Sequence, residues 1–367
     1  MQEQKVISEN IYDEFENLIQ QEHISRLLLV CGRNVSKTEV GNYFVKHEKV
    51  GVVFQDFEPN PSYDSVKLAV ACYKNNQCDG VFAIGGGSAL DLAKCVKAFV
   101  TMWDDKDYLE QNIEENNVPF LAIPTTAGTG SEATKFAVIY RNGEKLSVEH
   151  DSLIPQFVFL DSSFLNTLPL YQKKVTMLDA MCHSIESFWA AGATTESREY
   201  ANKALTMILT NKEPYLAGEG DAAARMLMAS NYAGKAINIS KTTAAHAMSY
   251  KLTKMYDLPH GHAAALSLLQ VWQCTYDIAQ QENREVLIEA LQKLAAIWQC
   301  ETIQESIAAY KGMLLALSIE MEKEAVIGDL RVLTDSVNQA RLQNHPVAFT
   351  KEQIEDMYSR IVKEMQV

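Results

Sequence analysis

Short runs that are apolar at nearly every position recur through the first 160 or so residues, and they restrict the possible folds more than any other feature of the chain. RLLLVC (26–31), VGVVF (50–54), GVFAI (80–84), VPFLAI (118–123) and FVFL (157–160) are separated by stretches such as 63–74, whose apolar spacing is helical. A strand that is apolar on both faces must be covered on both, so these runs read as a largely parallel sheet wound with helices in βαβ order. After Asp161 the texture changes to long helical patterns, for example REVLIEALQKLAAIW (284–298), with Leu287, Leu291, Leu294 and Trp298 on one face. The reading is an α/β domain over residues 1–162 followed by an all-α domain over 163–367, closed by a charged helix at 351–367. A length of 367 residues suits two domains.

Charge narrows the partners. With 33 basic and 47 acidic side chains the formal net charge is −14, which repels a nucleic-acid backbone or an anionic membrane surface. Any anionic ligand must therefore be gathered locally, by backbone N–H groups or a few cations. Seven scattered cysteines without a Cys-x-x-Cys pair point to a reducing, cytoplasmic compartment rather than a disulfide framework or thiolate zinc site. The start has no cationic segment followed by an apolar one, and no apolar run reaches membrane-spanning length, so neither export nor membrane insertion is expected.

Two turns carry the first chemical signal. The run 80–84 passes into Gly85, Gly86, Gly87 and Ser88 and then an amphipathic helix, which brings free N–H groups and the positive end of a helix dipole together for a phosphate. The run 118–123 ends in Pro124, Thr125, Thr126, Ala127, Gly128, Thr129, Gly130, Ser131 and Glu132, rich in hydroxyls. Ligands of open α/β sheets sit outside the carboxyl ends of strands, and two such turns suit a dinucleotide. The second signal lies in the helical half. Asp179 and His183 are one helical turn apart, His246 lies in TTAAHAMSY, and His260 and His262 lie in DLPHGH. Imidazoles with one carboxylate suit a borderline divalent cation such as Fe²⁺ or Zn²⁺.

Together these pieces resemble the iron-containing, or group III, alcohol dehydrogenases of the dehydroquinate-synthase-like fold, over nearly the whole chain. The family's Gly-Gly-Gly-Ser-x-x-Asp-x-x-Lys motif matches Gly85 to Ser88, Asp91 and Lys94; its second motif matches 124–132 and Thr134; its Pro-Asn-Pro motif matches Pro59, Asn60 and Pro61. The resemblance implies a Rossmann-like NAD(P)-binding domain, an all-α domain, a divalent metal between them held by Asp179, His183, His246 and His260, and interconversion of an aldehyde and a primary alcohol. It also implies a cofactor contact from Lys145 and a homo-oligomer, a dimer. A metal would act as Lewis acid on the carbonyl oxygen while the nicotinamide supplies hydride.

Departures from the family pattern sharpen the expectations. Where many members carry a proton-relaying histidine after the third ligand, this chain has Tyr250; His262 is the candidate to supply the missing imidazole. NAD-preferring members place an aspartate after the first strand, where this chain reads Gly32 and Arg33. Removing that carboxylate and adding a guanidinium, with Lys37 nearby, favours NADPH over NADH. Lys235 and Lys241 precede His246 in AGKAINISKTTAAHAMSY, where small or apolar residues are usual, and are expected to hold an anionic substrate group. Six positions apart on a helix they fall on different faces, so one of them suffices. The wording is closest to the phosphonoacetaldehyde reductase, or hydroxyethylphosphonate dehydrogenase, branch, and phosphonoacetaldehyde is the leading substrate. Alternatives are a broad-range butanol, lactaldehyde or 1,3-propanediol dehydrogenase, a dehydroquinate-synthase-type lyase or cyclase, and a catalytically silent scaffold. Around Asn344 and His345 an arginine common in relatives is missing.

Overall fold

Each apolar run becomes a strand of one parallel sheet. In the computed structural model, which describes residues 4–319, 330–337 and 342–364, β1 (Lys5–Ile7), β2 (Leu27–Cys31), β3 (Val50–Phe54), β4 (Gly80–Gly85), β5 (Phe120–Pro124) and, after an intervening hairpin of β6 (Phe136–Arg141) and β7 (Glu144–Glu149), β8 (Phe157–Phe159) are formed. The sheet order is β1-β8-β5-β4-β2-β3 with every pairing parallel. Helices α1 (Ile11–Gln21), α2 (Glu39–Val45), α3 (Tyr63–Asn75), α4 (Gly87–Phe99) and α5 (Ser163–Asn166) complete this unit, Met1–Leu168. Alternation along β2 explains its uninterrupted apolar sequence. Leu27, Leu29 and Cys31 pack with Phe15 and Phe44 on one face, while Leu28 and Val30 pack with Val66 and Val96 on the other.

The chain order reverses between β2 and β4, which lie side by side although β3 separates them in sequence. That switch point leaves a crevice at the carboxyl ends of β2 and β4, the ends that carry Gly32 and Gly85. Beyond it, Gly85 is in register with Pro124 of β5, so the two small-residue turns are neighbours. Two elements escaped the sequence reading. The three-residue β1 carries little signal of its own, and the β6–β7 hairpin turns on Asn142 and Gly143, both at positive φ (54° and 78°), a dipeptide whose hairpin meaning was passed over.

The second unit, Pro169–Val367, is helical in all its described elements. Its helices are α6 (Leu170–Trp189), α7 (Thr195–Ala217), α8 (Ala222–Ser240), α9 (Ala244–Tyr256), α10 (His260–Gln281), α11 (Glu285–Ile297) and α12 (Ile303–Leu317), then short helices at Leu330–Asp335 and Lys351–Glu364. The last of these matches the expected closing helix, whose final residues 365–367 lie outside the described residues; Tyr358 on it donates to the Met248 carbonyl of α9 at 2.9 Å. From Met177 to Trp189 every residue of α6 is buried, so α6 is the helix around which the unit packs. Trp189 and Tyr310 meet the ring of Trp272 at 5.9 Å each, filling the centre. Among the described residues no helix is long and apolar enough to cross a membrane.

His345 illustrates what this packing costs. Its Nε2 bonds Thr275 Oγ1 at 2.9 Å in a fully buried position, and burial pulls its pKa down from 6.5 to about 3. Between those values the unfolded chain binds a proton that the folded chain refuses, so the stability present above pH 6.5 drains away as pH falls toward 3. Urea unfolding of wild type and His345→Gln at pH 7.5, 5.5 and 4.5 is expected to show a shallower acid decline in the variant, by up to roughly 1.4 kcal/mol per pH unit. Parallel declines would refute the assignment.

Candidate functional site

The glycines of the first turn are needed for close approach rather than for unusual dihedrals. Gly86 caps α4, and none of Gly85, Gly86 and Gly87 has positive φ. A Cβ on Gly85 would stand 2.5 Å from Ala89 Cβ, and one on Gly87 3.1 Å from Thr129 Cγ2, so the turn lies hard against its own helix and against the second turn. Thr125 N donates to Gly85 O at 2.9 Å, Thr126 faces Gly86, and Thr129 Oγ1 accepts from Ser131 N. Asn60, at φ 60° in a region asparagine tolerates, donates its N–H to Ser88 Oγ at 3.1 Å and joins the Pro-Asn-Pro turn to the glycine turn.

Asp91 and Lys94 act as ties within the protein. Asp91 accepts from Ser131 Oγ at 2.7 Å and from Val138 N at 2.9 Å, fastening α4 to the second turn and to β6. Lys94, with no exposed surface, donates to Thr134 Oγ1 and to the Phe136 carbonyl, and burial pulls its ammonium down to about 8. Lys145 on β7 is close enough for its charge to be felt at Asp91. At the end of β2, Gly32 accepts from Gln55 Nε2, a Cβ there would meet nothing within 4 Å, and Arg33 is exposed. Lys37 is likewise exposed.

In the helical unit, Asp179, His246 and His260 come together although they lie on three helices. Their ligand-type atoms are all within 4.8 Å of one another. His183 joins them from α6, its Nε2 3.8 Å from Asp179 Oδ1 and its ring stacked on that of His246 at 4.6 Å. Asp179 Oδ1 and His246 Nε2, 3.4 Å apart and buried, make no hydrogen bond. This pair of orphans faces each other within an Asp-His set, a donor arrangement that fits a bound divalent cation.

Glu186, which the sequence reading missed, organises this cluster. Fully buried on α6, it accepts from the backbone N–H of Thr243 (2.9 Å) and Ala245 (3.2 Å) and from Thr243 Oγ1 (2.5 Å), and its other oxygen bonds His246 Nδ1. Burial pushes the Glu186 carboxyl up, but His246 and Thr243 outweigh it and hold it ionised. Bonded at Nδ1, His246 turns its Nε2 toward Asp179, the arrangement in which a carboxylate fixes the tautomer of a metal-ligating imidazole. The signal was available: Glu186 follows His183 by three positions and Asp179 by seven, on the same helix face.

Gly261 is the second residue missed. A Cβ on it would come 2.0 Å from the Val175 carbonyl and 2.9 Å from Asp179 Cβ, so only glycine lets the start of α10 touch α6 and set His260 beside Asp179. Tyr250 stacks its ring parallel to that of His260 at 5.6 Å. His262 is buried rather than at the surface; its Nδ1 is 3.1 Å from Tyr171 OH, and burial pulls it down to about 4, so it is neutral at pH 7. Lys235 lies between tyrosines of α7 and α8, its Nζ 5.9 Å from the Tyr200 ring centre and 5.8 Å from that of Tyr232. Lys241 follows the last residue of α8 and is exposed.

Residues 3–162 match the family model described as iron-containing alcohol dehydrogenase, and 173–362 match that of the C-terminal part of the same family. The chain is 38% identical over 233 residues to the probable alcohol dehydrogenase EutG of Escherichia coli (strain K12), covering 62% of this chain and 59% of that one. It is 32% identical over 230 residues to the phosphonoacetaldehyde reductase of Streptomyces viridochromogenes, covering 59% of this chain and 58% of that one. The match thus spans less than two thirds of either relative. A crystal structure of sulfoacetaldehyde reductase from Bifidobacterium kashiwanohense in complex with NAD⁺ shares the fold, with a TM-score of 0.88 at 24% identity over 99% of this chain and 98% of that one.

Two variants test the cluster through metal content. Glu186→Gln, which keeps the shape but removes the charge on His246, is expected to weaken Fe²⁺ or Zn²⁺ binding about 10- to 100-fold. Gly261→Ala is expected to lose stoichiometric metal altogether. Competition titration against a chelator reads both, and wild-type affinity in either would remove that residue from the site.

Proposed function

The chain belongs to the iron-containing alcohol dehydrogenase family, and from that premise we propose that it reduces a small anionic aldehyde, foremost phosphonoacetaldehyde to 2-hydroxyethylphosphonate, with NADPH. The observation that carries the reading is the convergence of Asp179, His246 and His260, with His183 beside them and Glu186 behind. A divalent cation there would supply Lewis-acid polarisation of a carbonyl, and reduced nicotinamide would supply hydride. The protein's share is positional. Gly85, Gly86, Gly87, Ser88, Thr125, Thr126, Thr129 and Ser131 present N–H and hydroxyl groups to the cofactor, held in register by Asp91 and Lys94, with Asn60 and Lys145 at the margin.

For the alcohol proton, Tyr250 is better placed than His262. It stacks on His260 and ends in a hydroxyl, whereas His262 is neutral and engaged with Tyr171. The choice of NADPH rests on the crevice beside β2, where Gly32 leaves open space and Arg33 makes no ion pair among the described residues. The anionic substrate rests on the lysines before His246 and on relatives named for phosphonoacetaldehyde and sulfoacetaldehyde. All seven cysteines are free, in keeping with a cytoplasmic enzyme, and the family resemblance favours a homodimer.

Following nicotinamide absorbance with Fe²⁺ or Zn²⁺, NADPH or NADH, and phosphonoacetaldehyde or butyraldehyde tests the proposal. Faster oxidation of NADPH with phosphonoacetaldehyde is expected. Preference for butyraldehyde would favour the broad-range dehydrogenase, and turnover of a sugar phosphate without net cofactor oxidation would favour a lyase or cyclase. In Gly32→Asp, for which the structure leaves room, the NADPH-to-NADH preference is expected to fall at least about tenfold through repulsion of the 2′-phosphate. An unchanged ratio would place cofactor choice elsewhere.

A further inference from the structure

Lys241 adopts a backbone conformation that side chains ordinarily avoid. Its φ is 59° and its ψ 170°. Other non-glycine residues with positive φ, such as Asn10, Asp257 and Ser318, pair it with ψ of 40°, 33° and 58°, the milder left-handed helical well. The Lys241 combination falls in a region occupied essentially by glycine alone, where a residue with a Cβ stays only if its surroundings over-determine it.

The surroundings do so. Lys241 N donates to the Ile237 carbonyl at 2.8 Å and its own carbonyl accepts from Ser240 Oγ at 3.1 Å. Asn344 Nδ2 donates to the carbonyls on either side, Ser240 at 2.8 Å and Thr242 at 3.0 Å. Asn344 is itself fixed to the loop after α6, accepting from Ala191 N at 2.8 Å and from Gly192 N at 3.1 Å. Two residues further on, Glu186 takes the N–H groups of Thr243 and Ala245. The Lys241 backbone therefore belongs to the same bonded frame as the His246 ligand. Two extended steps and three helical ones separate the two Cα atoms by at most about 12 Å.

A glycine would relieve the strain at this position, yet a lysine occupies it. We propose that Lys241 is the specificity-determining residue for the far, anionic end of the substrate, its ammonium pairing with a phosphonate or sulfonate two carbons from the reacting carbonyl. Lys235 is the lesser candidate, since it lies within α8, where the backbone is helical and carries no such strain. The inference rests on the anionic-aldehyde reading above.

Lys241→Gly and Lys241→Arg test it, with two readouts. The ratio of kcat/KM for phosphonoacetaldehyde to that for propionaldehyde is expected to fall about 10- to 100-fold in Lys241→Gly, the worth of one charge-assisted hydrogen bond, and to be largely restored in Lys241→Arg. Without substrate, Lys241→Gly is expected to melt at the same temperature as wild type or above it, while losing the rise in Tm that 2-hydroxyethylphosphonate gives wild type. A Lys241→Gly protein that melts lower and keeps the wild-type ratio would overturn the proposal by making Lys241 structural. A wild type that prefers phosphonoacetaldehyde, with a variant that prefers it equally, would move the anchor elsewhere and leave the substrate reading intact. A wild type indifferent to the phosphonate would remove both.

Discussion

Two ionised carboxylates buried on one helix set the terms for the helical unit. Asp179 and Glu186 lie seven residues apart on α6, both nearly inaccessible to water. Taking a carboxylate out of water costs several kcal/mol unless positive charge and hydrogen bonds replace the lost hydration. Glu186 is compensated by two backbone N–H groups, a hydroxyl and His246. Asp179 is held differently: its Oδ1 makes no hydrogen bond, and His183, His246 and His260 keep it ionised against the penalty of burial. The two carboxylates together carry two negative charges. A divalent cation with neutral imidazoles balances them, which is why the polar interior of α6 makes sense as a metal centre and poorly as a structural core.

That constraint spreads outward through the connections rather than through the helices. Because Glu186 takes the N–H groups of Thr243 and Ala245, the start of α9 is fixed relative to α6, and with it the turn 240–243. Asn344 fastens the same turn from the opposite side and reaches the loop after α6. The segment around Asn344 and His345, which carries no chemical motif, thus serves as a clamp on the residues that lead into His246. Gly261 plays the corresponding part for His260 by letting α10 approach the α6 backbone.

What the sequence made legible was local. Glycine turns after apolar runs, and a carboxylate and an imidazole one helical turn apart, are patterns a few residues long, and the structure places both where the pattern says. Features that depend on the third dimension were harder. Gly261 reads as one more turn residue until the Val175 carbonyl is seen 2.0 Å from its absent Cβ. Glu186 shares a helix face with Asp179 and His183, yet its role shows only once α9 is seen to begin against it. The face argument for Lys235 and Lys241 assumed one continuous helix, whereas α8 ends at Ser240 and Lys241 turns out of it with positive φ.

The nucleotide-side turns show the same economy in a different medium. Lys94 and Asp91 are satisfied by hydroxyls and backbone of the second turn and of β6, and they hold the two glycine-rich segments at one spacing. The first turn cannot be stiffened by side chains of its own, since a Cβ on Gly85 would collide with Ala89 and one on Gly87 would press on Thr129. Rigidity has to come from beneath, from Asp91 and the buried Lys94, one and two helical turns into α4 respectively. The open end of β2, by contrast, leaves Gly32 uncrowded, since a Cβ there would meet nothing within 4 Å. A position under so little packing pressure tolerates substitution, whereas the ties below the turns, with Lys94 fully buried, do not.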